Sequence, residues 1–365
     1  MRKVDMDMAK DKVMDMDMEF DFDALTDEVF GSKAVTAKLN PGLQGKIFLV
    51  TGSNSTGKTS QCAKMVKNSY IFPFEPGTNA LTGTKILTTA TWADALEHFR
   101  KLTKNKKLLQ ALKQGHTIGV IFDGLEVMSL MMKDYICDQM GVEKFKKAGS
   151  HGSQWEDYAT EISRFFYPIT RVGYTIFFIT HPAESKEIPG YLDLACEKRI
   201  AKVVKDLADF SFYIQSNGSD ENDKVIPSTA YLVERMPTED TYGWFARCRF
   251  PHVQTKFEEW DAEIVKQAIY DGIVKQAEIE GAELGGFEEE QEKYRSSFTL
   301  TYEEAMDKIF NMLDTCDEKE LSEKADDILL QYLDSVDDVN NLKEKQMMTI
   351  QSILDELSHL LETNE

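Results

Sequence analysis

Apolar runs and amphipathic stretches alternate along the middle of this chain. Short, nearly unbroken apolar segments at residues 47–50, 70–74, 86–89, 117–122, 174–179, 210–214, 230–235 and 244–249 read as β-strands. Between them, residues 58–68, 91–114, 125–140, 154–170 and 195–208 carry helical spacing. The early strands lack polar alternation, as expected where helices cover both faces of a parallel sheet. The later ones lie closer together and are more polar, which points to an antiparallel edge. Residues 36–257 therefore read as an α/β domain with a mostly parallel central sheet flanked by helices.

Outside this stretch the pattern changes. From Met14 to Asp23, Met or Phe alternates with Asp or Glu, a period of two. Met and Asp are poor strand formers, so residues 1–35 read as an acidic, disordered arm. The sharper alternative is an arm that adds to the sheet edge of a neighbouring subunit. Residues 258–298 are acidic and helix-prone, with Gly285-Gly286 as a linker signal. Thr301-Tyr302-Glu303-Glu304 has the form of a capping box. Amphipathic spacing after it (Ile309, Leu313; Leu321, Ile328, Leu329, Leu333; Ile350, Leu354, Leu357, Leu361) predicts a small helical region over 299–365.

Charge is distributed unevenly. The net charge is −21, yet residues 31–255 hold 28 basic against 23 acidic residues. Residues 1–30 hold 4 against 10, and residues 256–365 hold 10 against 30. A mildly basic centre lies between two acidic ends, so acidity does not exclude a polyanionic partner. No apolar stretch approaches the ~20 residues of a membrane span. Cys62, Cys137, Cys196, Cys248 and Cys316 are scattered singly, the usage of reduced thiols in a cytoplasm.

The chemistry is concentrated at Gly52-Ser53-Asn54-Ser55-Thr56-Gly57-Lys58-Thr59, which fits G-x-x-x-x-G-K-[ST] without mismatch. A strand precedes it and a helix beginning near Ser60 follows, the context a phosphate-binding loop needs. Backbone N–H groups and the helix N-terminus face the anion. Lys58 is expected at the β- and γ-phosphates of ATP, and the Thr59 hydroxyl on Mg²⁺. The strand at 117–122 ends in Asp123, which places a second Mg²⁺-holding carboxylate beside the loop. Gly124 follows it, so the acid of D-E motifs is missing. Glu75, at the end of the second strand, is the candidate to polarise water. His181 ends the strand at 174–179 and is the candidate γ-phosphate sensor. As alternatives, Asp123 reads as a helix cap, Glu75 as a turn residue before Pro76-Gly77, and His181 as a structural histidine.

This order of parts resembles the RecA-type ATPases. The resemblance covers roughly residues 40–255 and runs closest to phage-encoded RecA-like proteins implicated in single-strand annealing. It implies that Glu75 is the catalytic glutamate and that His181 links γ-phosphate to DNA binding, although most relatives have glutamine there. It implies that Arg247 and Arg249 reach the nucleotide of an adjacent subunit in a ring or filament; otherwise they are solvent-facing strand charges. It also places single-stranded DNA on the segments after Asp123 and His181. There Lys144, Lys146, Lys147 and His151, then Lys186, Lys198, Arg199 and Lys202, supply positive charge. Trp155 and Tyr158 are expected either to stack on bases or to pack in the core. The acidic C-terminal region is expected to compete with DNA or to dock a partner such as a single-strand binding protein. Two rivals remain: a nucleotide-switched oligomeric scaffold that never touches DNA, and a nucleotide kinase, which lacks an arginine-rich lid after Asp123.

Overall fold

In the computed structural model, residues 36–78, 81–148, 152–291 and 302–363 are described, together with Phe22, Leu25, Thr26 and Val29. Those four are helical, and the rest of the expected N-terminal arm lies outside the described residues. So do His151 and Thr301, the first residue of the expected capping box. The chain divides into two units, 1–293 and 294–365.

The first unit is built on a sheet whose central strands are buried along almost their whole length. Strand β1 (Ile47–Gly52) is buried at all six positions. Helix α1 (Lys58–Met65) follows it, then β2 (Ser69–Pro73) and the short β3 (Lys85–Ile86). Helices α2 (Trp92–Lys104) and α3 (Lys106–Lys113) occupy the span expected as one helix. Asn105 divides them, because its side chain accepts from the Lys107 and Leu108 amides and caps the second. Next come β4 (Gly119–Asp123), α4 (Leu125–Gln139), α5 (Gln154–Thr170) and β5 (Thr175–Thr180). After β6 (Pro182–Glu184) and β7 (Tyr191–Leu194), α6 (Lys198–Leu207) leads into β8 (Phe210–Gln215) and β9 (Thr229–Tyr231).

The sheet order is β12-β9-β8-β1-β5-β4-β2-β3, with β12 at Lys256–Phe257. From β8 through β3 every pairing is parallel. Strand β5 therefore lies between β1 and β4. Thr51 is level with Thr180, Ile179 with Asp123, and Asp123 with Pro73. The C-terminal ends of four strands thus share one edge, where ligand groups gather in open parallel sheets. Aromatic stacking fills the layer beneath: Phe72, Phe122 and Phe178 stack in succession across three strands, at 4.9 and 5.5 Å.

The later strands form the expected antiparallel edge, but their extents differ from expectation. Residues 244–249 do not form one strand. Instead β10 (Gly243–Trp244) joins β6 and β7 in a separate three-stranded sheet, and β11 (Arg247–Cys248) pairs with β8. The segment expected as an acidic helical linker is helical, but it packs into the first unit instead of linking. Helix α7 (Ala262–Glu280) buries Val265, Ile269 and Ile273 in the core that covers β1 and β8. Helix α8 (Phe287–Gln291) then returns to the base of the sheet, where the Leu39 and Gly285 backbones are joined. Its Glu290 forms an ion pair with Lys46, a lysine only 2 % exposed.

The second unit is a helical bundle of α9 (Tyr302–Glu318), α10 (Ser322–Tyr332) and α11 (Met347–Glu362). Ile309, Leu329, Ile350, Leu354 and Leu357 form its core, the positions that amphipathic spacing selects.

Candidate functional site

At the end of β1 the chain turns through Gly57 (φ 79°), a left-handed position suited to glycine, and enters α1. Thr56 Oγ1 donates to the Ser53 carbonyl and holds the loop's curl at 2.9 Å. Lys58, buried beneath the loop, donates from Nζ to the Gly52 and Ser53 carbonyls at 2.7 and 2.8 Å. One helical position on, Thr59 Oγ1 donates to Asp123 Oδ2 at 3.0 Å. A hydroxyl and a carboxylate this close can share one divalent cation, and Mg²⁺ is commonly held by one or two protein oxygens plus substrate phosphates. No group of three or more His, Cys, Asp or Glu among the described residues could hold a metal without such help.

Burial acts on both charges at this edge. It pulls the Lys58 ammonium below its ordinary range, opposed by Asp123, Glu126 and Glu75. It raises the Asp123 carboxyl, helped by Glu75 and opposed by the Thr59 hydroxyl and Lys58. An anion against Lys58, or a cation against Asp123, favours the charged form of each.

Glu75 and His181 complete the cleft, whose volume is about 640 Å³ and which residues 54–60 line on one side. His181 Nε2 lies 3.1 Å from Glu75 Oε2, and His181 Nδ1 lies 3.3 Å from the Gly52 carbonyl. The missing acid after Asp123 has a steric cause. Gly124 has φ 93°, and a Cβ there would overlap the Glu75 side chain. Glu75 occupies the space beside the strand end.

Glu126 escaped the sequence reading. Its Oε1 accepts from Thr180 Oγ1 and from the His181 amide, both at 2.6 Å. The available signal was its place three residues after Asp123, in the first turn of α4, where a carboxylate suits the helix N-terminus.

The basic candidates fall into groups. Lys144, Lys146 and Lys147 are exposed around the one-turn helix Phe145–Lys147, with no ion-pair partner among the described residues. Lys186 is exposed in the turn between β6 and β7. Lys198 instead pairs with Glu187 at 2.8 Å, and Arg199 with Glu197 at 3.2 Å. Arg199 also covers Trp155, 4.3 Å from the ring centroid. Tyr158 is fully buried and bonds Ser129, so it belongs to the core.

Arg247 and Arg249 lie away from their own phosphate loop. Arg249 pairs with Asp209 at 3.5 Å and donates to the Asp206 carbonyl. Asp209 in turn accepts from the Ile47 amide at the opposite end of β1. That end is about 17 Å from Gly52 at ~3.3 Å per residue.

A family profile for an AAA domain matches residues 44–250, which span the phosphate loop, Glu75, Asp123 and His181. The chain belongs to this AAA domain family of P-loop ATPases. It is also similar to the SPbeta prophage-derived uncharacterized protein YorG of Bacillus subtilis (strain 168). The two are 33 % identical over 320 residues, covering 88 % of this chain and 95 % of that one. The AAA domain match ends before α7, so the helix that covers β1 and β8 lies beyond the matched segment. No helix among the described residues is long and apolar enough to cross a membrane.

Proposed function

We propose that this AAA domain chain is a RecA-like ATPase that hydrolyses ATP and acts on single-stranded DNA in phage recombination, annealing or replication. The observation that carries the ATPase part is the convergence of Lys58, Thr59, Asp123, Glu75 and His181 at one sheet edge. Residues 52–60 hold the triphosphate, while Thr59 and Asp123 hold Mg²⁺, which neutralises phosphate charge when bound. Glu75 orients and polarises the attacking water. His181 contacts both Glu75 and the Gly52 carbonyl, which suits it to sense the terminal phosphate.

The DNA part rests on the free lysines. Lys144, Lys146 and Lys147 on one turn, with Lys186, offer phosphate contacts that no carboxylate among the described residues already takes. Lys198 and Arg199 contribute less directly, because both are paired. Subunits assemble head to tail in a ring or filament, with Arg247 of one reaching the nucleotide of the next; Arg249 must first leave Asp209. The negative charge of the C-terminal unit weakens polyanion binding and is the feature that a single-strand binding protein would read. Oligonucleotide-stimulated ATP hydrolysis tests the reading.

The second reading, a nucleotide-switched scaffold that does not touch DNA, is favoured by the ion pairs at Lys198 and Arg199 and by the net charge of −21. Turnover indifferent to oligonucleotide would support it.

A further inference from the structure

We propose that Glu126 is a positioning residue for hydrolysis, fixing the end of β5 so that the His181 ring meets Glu75. The proposal rests on the ATPase reading above.

Three observations converge on it. First, one carboxylate oxygen of Glu126 takes two donors from adjacent residues, the Thr180 hydroxyl and the His181 amide, at 2.6 Å each. Charge-assisted bonds this short hold their partners firmly. They fix the backbone of the residue whose ring contacts both Glu75 and Gly52. Second, the segment 123–126 carries two acids with different tasks. Asp123 faces Thr59, while Glu126 faces the neighbouring strand, and the Gly124 amide donates to the Ile179 carbonyl between them. The phosphate-loop hydroxyl and the sensor backbone are thus tied to one short stretch. Third, the other oxygen of Glu126 is buried without a hydrogen-bond partner among the described residues. A buried carboxylate oxygen left so costs stability. That cost is offset at Oε1, which fixes the Thr180 hydroxyl and the His181 amide.

The test uses the full-length chain with Glu126→Ala and Glu126→Gln. Three quantities are measured: kcat for ATP, Mg²⁺-dependent affinity for a fluorescent ATP analogue, and the His181 ring resonance, assigned by its loss in His181→Ala. Glu126→Ala should lower kcat at least tenfold, keep analogue affinity within about threefold and shift the His181 resonance. Glu126→Gln retains an acceptor oxygen and should restore kcat to within about fivefold and the resonance to its wild-type position. Wild-type kcat in Glu126→Ala, an unshifted resonance, or a glutamine variant as impaired as the alanine one would overturn the proposal. If Glu126→Ala does not fold, Glu126→Asp replaces it: the shortened carboxylate withdraws from both donors and, in the folded chain, should show the same loss of kcat. Wild-type kcat there would overturn the proposal equally. If wild type itself hydrolyses no ATP, the ATPase reading fails, and the His181 resonance still decides the positioning role.

Discussion

His181 and Glu75, 106 residues apart in sequence, meet at 3.1 Å between Nε2 and Oε2 beside the phosphate loop. The contact joins the expected sensor to the expected base, and the Nδ1 contact with Gly52 joins both to the loop. One imidazole therefore links Glu75 to the backbone of the phosphate loop.

Removing the base should separate binding from chemistry. Glu75→Gln is expected to retain ATP-analogue affinity and lose about 10²-fold or more in kcat, the scale of a general base. Because the pair is in contact, Glu75→Gln with His181→Ala should cost less than the sum of the single losses. Additive losses in a double-mutant cycle would show that the two act independently.

Gly124→Ala tests the steric account of the missing acid. The methyl group would overlap Glu75, and a φ of 93° is strained for any L side chain. We expect a stability loss of about 1–3 kcal/mol from the backbone alone, together with impaired turnover. Calorimetry and a hydrolysis assay check both; a variant with wild-type melting temperature and kcat contradicts the account.

The end of the first unit makes a third prediction. Phe287 is buried against Gly45 and Gly173, and Glu290 pairs with the buried Lys46. Phe287→Ala should cost about 3–5 kcal/mol, as for other buried phenylalanines. Truncation after residue 280 should lower the melting temperature of the ATPase unit, whereas truncation after 293 should not. Equal melting temperatures for the two truncations would remove the structural role of α8.

The free lysines predict a salt-dependence. Replacing Lys144, Lys146 and Lys147 with alanine should lower the salt slope for single-stranded DNA binding by about 2, at ~0.7 per phosphate contact. Alanine at Lys198 should change it less, since Glu187 competes for that lysine. Removing residues 294–365 deletes 18 acidic and 6 basic residues and should strengthen binding at low salt. Filter-binding titrations at several salt concentrations read all three.

The central strands were legible because burial on both faces leaves unbroken apolar runs, and the positions of Asp123 and His181 were legible because each follows such a run. Glu75 was legible for the same reason, two residues beyond β2. The edge was not. Residues 229–257 switch between two sheets in two- and three-residue strands, too short for periodicity to register. Helix α7 was legible as a helix but not as part of the core, because acidic residues on its wet face outweighed Val265, Ile269 and Ile273 on the buried one. Glu126 was illegible because its partners, Thr180 and His181, lie more than fifty residues away. Pairing among the basic residues was only partly tertiary: Lys198 meets Glu187 from the turn after β6, whereas Arg199 pairs with Glu197 two positions back, at the cap of its own helix.

ATP hydrolysis by wild type and by Lys58→Ala, each with and without single-stranded DNA, tests the central claim most directly. Hydrolysis that DNA stimulates in wild type and that disappears in Lys58→Ala is the predicted result. Turnover that survives Lys58→Ala, or that DNA leaves unchanged in wild type, would contradict it.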